Sequence, residues 1–351
     1  MTVSGTTLAV RLDSAGDVLL AGPALRALAA GSDRLLLLTG PRARGVAGLL
    51  PRVDEVLVWH CPWIDPEPGR VDRHDIDTLV SRIAACDVDR AVVFTSFHQS
   101  PLPTALLLRM AGVRHVAAIS EDYPGALLDV RHRTTDDQHE VERALGLARA
   151  AGFELPAGDR GLLAVEPPLP RPHDVPTEPY VVLHPGTSVP ARGWFPDRWA
   201  ALADRLVARR SVVVTGGPDE AELTDRVTPP GALDLGGRTS WAELASVLAG
   251  ADVVVVGNTG PAHLAAAVGT PVVSLFAPTV PACRWAPYGV PTILLGDQYA
   301  ICRDTRVTRC PHPGHPCLAS VDPEDVVHAV EQLCGVVHRG RPDPALQKAN
   351  A

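Results

Sequence analysis

The sequence predicts an α/β protein built of two doubly wound halves. Short β-rich runs alternate with helix-like stretches from residue 8 onward, the runs are continuously apolar, and a proline-rich break near 166–179 separates one such series from a second. Alternation of this kind marks βαβ units around a parallel sheet, and continuous apolarity marks strands covered on both faces. At 351 residues the chain is longer than a single core usually serves, so two domains are expected.

The first series supplies strands LAVRL (8–12), LLLLT (35–39), EVLVW (55–59), AVVFT (91–95) and VAAIS (116–120), with helices near 17–30, 41–50, 75–86, 101–111 and 136–151. The stretch EPPLPRPHDVPTEP from Glu166 to Pro179 follows. Proline at that density fits neither a helix interior nor a central strand, so the stretch reads as a linker. The second series has strands YVVLH (180–184), SVVVT (211–215), ALDL (232–235), DVVVV (252–256), PVVSLF (271–276) and TILL (292–295), with helices in PDRWAALADRLVAR, WAELASVLAG and PAHLAAAVG. The expected domains are 1–168 and 180–335, joined by a linker at 169–179 and followed by a tail at 336–351.

Composition narrows the function. Hydrophobic residues at 46% and charged residues at 21% suit an ordered globular chain, and a net charge of −8 argues against a nucleic-acid surface while leaving room for a pocket that takes one diphosphate. The opening MTVSGTTLAV lacks the basic start and long apolar core of a secretory leader, and apolar runs such as 35–38 and 253–256 are only strand-length. A soluble, cytoplasmic monomer without stable membrane insertion is therefore expected, its seven cysteines reduced. Lys348 is the only lysine, which excludes a lysine nucleophile or a phosphate-loop lysine, and neither G-x-G-x-x-G after the first strand nor G-x-x-x-x-G-K-[ST] occurs.

Strand-to-helix turns carry the candidate chemistry, because ligands in open α/β sheets bind at the carboxyl ends of strands. The first strand runs into Asp13, Ser14, Ala15, Gly16 and Asp17. Asp17 there suits either a catalytic carboxylate or a helix N-cap. In the second half, YVVLH ends in Pro185, Gly186, Thr187 and Ser188, with Arg192 close behind. Glycine admits close backbone approach, the hydroxyls donate, and the guanidinium forks onto a diphosphate, although an ordinary turn reads the same way. DVVVV runs into Gly257, Asn258, Thr259, Gly260, Pro261, Ala262 and His263 at a helix start, a ready anion site, with His263 also suited to core filling. VVVTGGPDE adds a glycine turn at Gly216 and an acid, Glu220, suited to a ribose hydroxyl. The pairs Asp75/Asp77 and Asp87/Asp89 read as solvated surface. Cys302, Cys310, His312, His315 and Cys317 are zinc-ligand types without C-x2-C spacing and read as a stiffened loop, so no metal is expected.

Together, RLDSAGDVLLAGPALRAL, HPGTSVPARGWFPDRWAALADRL, VVVTGGPDE, LGGRTSWAELASVLAGADVVVVGNTGPAHLAAAVGTPVVSLF and CPHPGHPCLASVDPEDV resemble glycosyltransferase family 9, the ADP-heptose heptosyltransferases of the GT-B fold. The resemblance is nearly continuous from about 180 to 333, is concentrated at 8–28 in the first half, and is weaker near HEVERALGLARAAG. It implies two Rossmann-like domains facing each other across a cleft, and an inverting, metal-free transfer with no cofactor. A nucleotide-diphosphate sugar, most simply ADP-heptose, would be the donor, and a hydroxyl of a natural product or envelope glycan the acceptor. Asp17 would be the general base, with Asp13, Ser14 and Gly16 beside the acceptor. Gly186, Thr187, Ser188 and Arg192 would meet the diphosphate, Glu220 beyond Gly216 the ribose, and Thr239 the base. Asn258, Thr259, Gly260, Pro261 and His263 would form the second phosphate loop. Arg192 stands where the family usually has lysine, and Asn258 where aspartate is common. A nucleotide-sugar epimerase would need its own carboxylate and histidine set in the first half, which is not found. A non-catalytic binding protein is disfavoured by Asp17.

Overall fold

The computed structural model describes residues 5–134 and 137–340, the last five by backbone alone. The chain divides at Pro167–Pro168 into two compact units. In the first, β1 (Thr6–Arg11), α1 (Ala15–Ala30), β2 (Arg34–Thr39), α2 (Arg44–Ala47), β3 (Glu55–Val58), α3 (Arg73–Ala85), β4 (Val88–Val93), α4 (Leu102–Met110), β5 (His115–Ile119), β6 (Val130–His132) and α5 (Glu140–Ala150) follow in order. The sheet order is β3-β2-β1-β4-β5-β6, all parallel, so the strand order reverses between β1 and β4. Alternate residues of the central strands, Leu8, Val10, Leu36, Leu38, Ala91 and Val93, share one buried face. The apolar stripe Val141, Ala144, Leu145 and Ala148 of α5 has helical spacing, and α5 packs on α1.

The second unit repeats the plan with β7 (Tyr180–His184), α6 (Pro196–Val207), β8 (Ser211–Val214), α7 (Ala221–Val227), β9 (Leu233–Asp234), α8 (Trp241–Gly250), β10 (Val253–Gly257), α9 (Gly260–Ala267), β11 (Val272–Leu275), α10 (Ala282–Trp285), β12 (Thr292–Leu295), α11 (Pro316–Ala319) and α12 (Pro323–Gly340). Its order, β12-β11-β10-β7-β8-β9, reverses between β7 and β10. Trp199, Leu202, Ala203 and Leu206 form the buried stripe of α6, which meets α12 over the sheet. Among the described residues no helix is long and apolar enough to cross a membrane.

The differences from expectation are local. Residues 41–50 form a 3-10 turn (Pro41–Ala43) and the single turn of α2, since Gly45 and Gly48 weaken a longer helix. Strand β6 joins the sheet edge through too short and polar a run to be predicted. Helix α5 starts at 140, after His139, whose Nδ1 accepts the N–H of Val141, and residue 136 of the expected helix lies outside the described residues. The expected tail is partly helix, because α12 continues through 336–340, while 341–351 lie outside the described residues. Asp17 is not an N-cap, because α1 begins two residues before it.

Candidate active site

In each unit the reversal of strand order leaves a crevice at the carboxyl ends of the two central strands, where neighbouring connections diverge. In the first unit Arg11 closes β1 with its side chain only 3% exposed, and a buried charge at that depth requires partners. Its Nε faces Asp13 Oδ2 at 3.1 Å, and one terminal nitrogen meets Asp17 Oδ1 at 2.9 Å, Glu140 Oε2 at 3.2 Å and Ser96 Oγ at 3.1 Å. Gln99 donates to Asp13, joining the loop after β4 to the loop after β1. Glu140 also lies 3.3 Å from Arg143, which donates to the Thr95 carbonyl and stacks over Phe97.

Asp17 is the third residue of α1, and its Oδ2 accepts from Ser14 N at 3.2 Å and from Ser14 Oγ at 2.7 Å. A carboxylate there satisfies a helix-terminal donor and suits the dipole. Its side chain is 17% exposed, so it is the carboxylate of the cluster that meets solvent most freely. Three carboxylates surround two guanidiniums, one negative charge in excess. Burial, opposed by Arg11 and reinforced by Asp17, pushes the Asp13 carboxyl up to about 6. Burial also raises Glu140 against the pull of Arg11 and Arg143. Arg11 is depressed by burial but raised more strongly by Asp13, Asp17 and Glu140, and stays charged. Of the expected acceptor residues, Ser14 is exposed, Gly16 is buried in the first turn and Asp13 turns inward to Arg11.

In the second unit the β7 and β8 turns interlock around Glu220. A Cβ on Gly186 would lie 2.0 Å from the Glu220 carboxyl carbon, so any larger residue there would push that carboxyl out of its place. Glu220 Oε2 accepts the Gly217 N–H at 2.7 Å and lies 3.8 Å from His184 Nε2. His184, at the end of β7, sits 3.0 Å from Thr215 Oγ1, and burial lowers its pKa, only partly offset by Glu220, so it is neutral at pH 7. Gly216 ends the β8 turn, and a Cβ there would lie 2.7 Å from the Thr224 methyl. Thr187 Oγ1 accepts from Val189 N at 3.2 Å, and Ser188 is exposed.

Arg192 ends a 3-10 turn at Pro190–Arg192, whose backbone passes β10: a Cβ on Gly257 would lie 3.5 Å from the Arg192 carbonyl oxygen. The Ala191 N–H donates to Thr308 O at 3.0 Å, and the Ala191 carbonyl accepts from His315 Nε2 at 3.0 Å. Past β10, Thr259 caps α9 in extended conformation, Gly260 and Pro261 open the helix, and His263 is buried within it. Asn258 is 4% exposed, and its Nδ2 is buried with no hydrogen-bond partner among the described residues. A buried amide donor without an acceptor costs stability unless something supplies one. The structure thus brings together the 186, 216–220, 192 and 257–260 turns, and Thr239 lies in the loop between β9 and α8, which the Gly237 N–H ties to the Gly216 carbonyl at 2.9 Å.

Sequence reasoning missed Arg11, Ser96, Gln99, Glu140 and Arg143 in the first unit and His184 in the second, and read His315 only as part of a stiffened loop. Arg11 is a charge inside an otherwise apolar strand, which is the one signal that could have found it. Cys302 and Cys317 are buried, and burial followed by Cys302 pushes the Cys317 thiol up to about 12. Among the described residues no three His, Cys, Asp or Glu side chains gather as a metal set.

The family model described as glycosyltransferase family 9 (heptosyltransferase) matches residues 78–312. Lipopolysaccharide heptosyltransferase 1 of Pseudomonas aeruginosa is 34% identical over 213 residues, 57% of this chain and 58% of that protein. Lipopolysaccharide heptosyltransferase 3 of Escherichia coli is 35% identical over 108 residues, 28% of this chain and 32% of its own. The matches therefore span well under two thirds of these relatives' lengths. Among solved structures, the glycosyl transferase family 9 protein of Veillonella parvula superposes with TM-score 0.75 at 18% identity, covering 96% of this chain and 99% of its own. E. coli heptosyltransferase WaaC with ADP-2-deoxy-2-fluoro heptose superposes with TM-score 0.67 at 21% identity, covering 93% and 99%. Likeness at these identities is likeness of fold.

Proposed function

The chain belongs to glycosyltransferase family 9 (heptosyltransferase), and from that premise we propose that it is an inverting, metal-independent enzyme that transfers a heptose from ADP-heptose or a related nucleotide sugar to an acceptor hydroxyl. The acceptor is a natural product or an envelope glycan, and the enzyme works as a cytoplasmic monomer. WaaC was solved with an ADP-heptose analogue, which supports the donor class.

The observation that carries the reading is the unpartnered Asn258 amide beside the first turn of α9. A diphosphate oxygen at that helix start would accept from Nδ2 and from the Gly260 N–H, Pro261 having none and the Ala262 N–H being bonded to the Thr259 carbonyl. Arg192, Thr187 and Ser188 would meet the remaining oxygens, so charge developing on the leaving ADP falls on fixed donors of this chain. Asparagine here also spares the diphosphate the repulsion of the aspartate common in the family. Glu220 would accept from a ribose hydroxyl, Thr239 would border the base, and Gly186 and Gly216 would let the backbone come close.

In the reaction the acceptor oxygen attacks the anomeric carbon as the bond to the diphosphate oxygen breaks. The electron pair leaves with ADP and the hydroxyl proton passes to Asp17, with inversion at carbon. Asp17 is held by Arg11 and Ser14, and it accepts the proton late, once bonding to the anomeric carbon has made the acceptor hydroxyl acidic.

Thermal denaturation with ADP, ADP-heptose, and GDP- and UDP-sugars tests the reading. A donor at about a hundred times its Kd adds about 2.7 kcal/mol of stability, and ADP-heptose is expected to give the largest shift. EDTA should leave ADP release from ADP-heptose unchanged. No shift with any nucleotide sugar would overturn the proposal.

A further inference from the structure

We infer that Glu140, acting through Arg11, is a positioning residue that sets the orientation and basicity of Asp17; the inference rests on the reading of Asp17 as the base. One Arg11 terminal nitrogen, with two N–H groups, serves Asp17 at 2.9 Å, Ser96 Oγ at 3.1 Å and Glu140 at 3.2 Å, so the two carboxylates share one guanidinium charge and its two N–H groups with a third acceptor. A guanidinium committed to Asp17 alone would stabilise its carboxylate through a charge-assisted bond and make it a poor proton acceptor. Glu140 shares that charge and leaves Asp17 more basic while the bond still fixes its direction.

Glu140 is built for this task rather than placed at the surface. Its side chain is 3% exposed, Arg143 holds it at 3.3 Å, and Arg143 is itself anchored on the Thr95 carbonyl and the Phe97 ring. As the first residue of α5, Glu140 gains from the helix dipole, which favours its charged form despite burial. Helix α5 packs along α1, which carries Asp17, so the two carboxylates keep a fixed separation. The other ionisable groups around the cluster are Asp13, from the loop after β1, and Arg143. His132 on β6 is held neutral by burial and by Arg143, and His98 and His139 lie on the adjoining loops. Glu140 and Asp17 also repel each other across the cluster, so neutralising Glu140 lowers the basicity of Asp17 both by removing that repulsion and by releasing Arg11 to it.

The test follows the Asp17 carboxyl by carbon NMR of protein labelled at aspartate, titrated with pH, its signal assigned by its loss in Asp17→Asn. Glu140→Gln is expected to lower the apparent Asp17 titration by on the order of one pH unit. ADP release from ADP-heptose should slow about three- to tenfold at unchanged donor KM. Glu140→Asp, which keeps the charge at shorter reach, should give a smaller fall of the same sign, and stands in if the glutamine variant does not fold. An Asp17 titration that is unmoved or raised in both variants, with Asp17→Asn inactive, overturns this inference alone. An Asp17→Asn variant with wild-type turnover overturns the base reading and this inference with it.

Discussion

Substituting Gly186 with alanine puts a methyl carbon 2.0 Å from the Glu220 carboxyl carbon and 2.0 Å from its Oε2. No atom pair tolerates that separation, but the clash is with the far end of a flexible side chain, which relieves it by rotating away. The cost is then the bond that Glu220 forfeits, its 2.7 Å contact with the Gly217 N–H. A hydrogen bond to a charged group contributes about 1.5–3 kcal/mol, and with the Glu220 side chain 24% exposed the lower end applies, about 1–2 kcal/mol. For the second unit, Pro168–Ala351, unfolding on its own, that lowers Tm by roughly 2–8 °C. Donor affinity should fall at least about tenfold, the equivalent of 1.4 kcal/mol, since Glu220 leaves the position from which it would reach the ribose. The assay is a double-mutant cycle of Gly186→Ala and Glu220→Ala, read by denaturation and by calorimetric titration of ADP-heptose. In the Glu220→Ala background the alanine at 186 meets no carboxyl and should cost less than about 0.5 kcal/mol. If Gly186→Ala costs the same in both backgrounds, the interlock is not what glycine is there for.

Asp13→Asn should change how stability depends on pH. Burial raises the folded Asp13 carboxyl from 3.8 to about 6, so its protonated form is the one folding favours. That contribution is present below pH 3.8 and is lost as pH rises through about 6. The asparagine variant should therefore gain on wild type by up to about 3 kcal/mol between pH 4 and pH 7, measured by urea denaturation at each pH, and a flat difference would contradict the assignment. Arg11→Met strands three carboxylates in the cluster and should cost about 3–5 kcal/mol of folding stability in the same assay. His315→Ala removes the donor to the Ala191 carbonyl and should weaken ADP-heptose binding about three- to tenfold by calorimetry, with about 1 kcal/mol lost in stability.

The two sheets were legible because their central strands are uninterrupted apolar runs bounded by glycine or polar turns, as in VVLHPG and VVVVGNTG. The switch-point turns were legible for the same reason: Gly186, Asn258 and Thr259 directly follow such strands. Short-range features were not. Strand β6 has only half-buried residues and exists because the β5 edge is there to receive it, and α2 is one turn because glycines interrupt it. The network around Asp17 was least legible, because Arg11 and Glu140 are 129 residues apart and only the packing of α5 on α1 brings them together. His315 reads in sequence as part of a cysteine–histidine loop, yet its ring supports the Arg192 turn and faces Phe195 edge to face.

The central claim is that Asp17 takes the proton while the turns at 186–192 and 257–260 hold the donor. It is tested most directly by comparing wild type and Asp17→Asn for ADP release from ADP-heptose, with glycan acceptors added in a second arm, alongside calorimetric donor affinity. The account predicts a loss of turnover of about 10²–10⁴-fold with donor Kd within about twofold of wild type. Wild-type turnover in Asp17→Asn, or no binding of ADP-heptose by either protein, would contradict it.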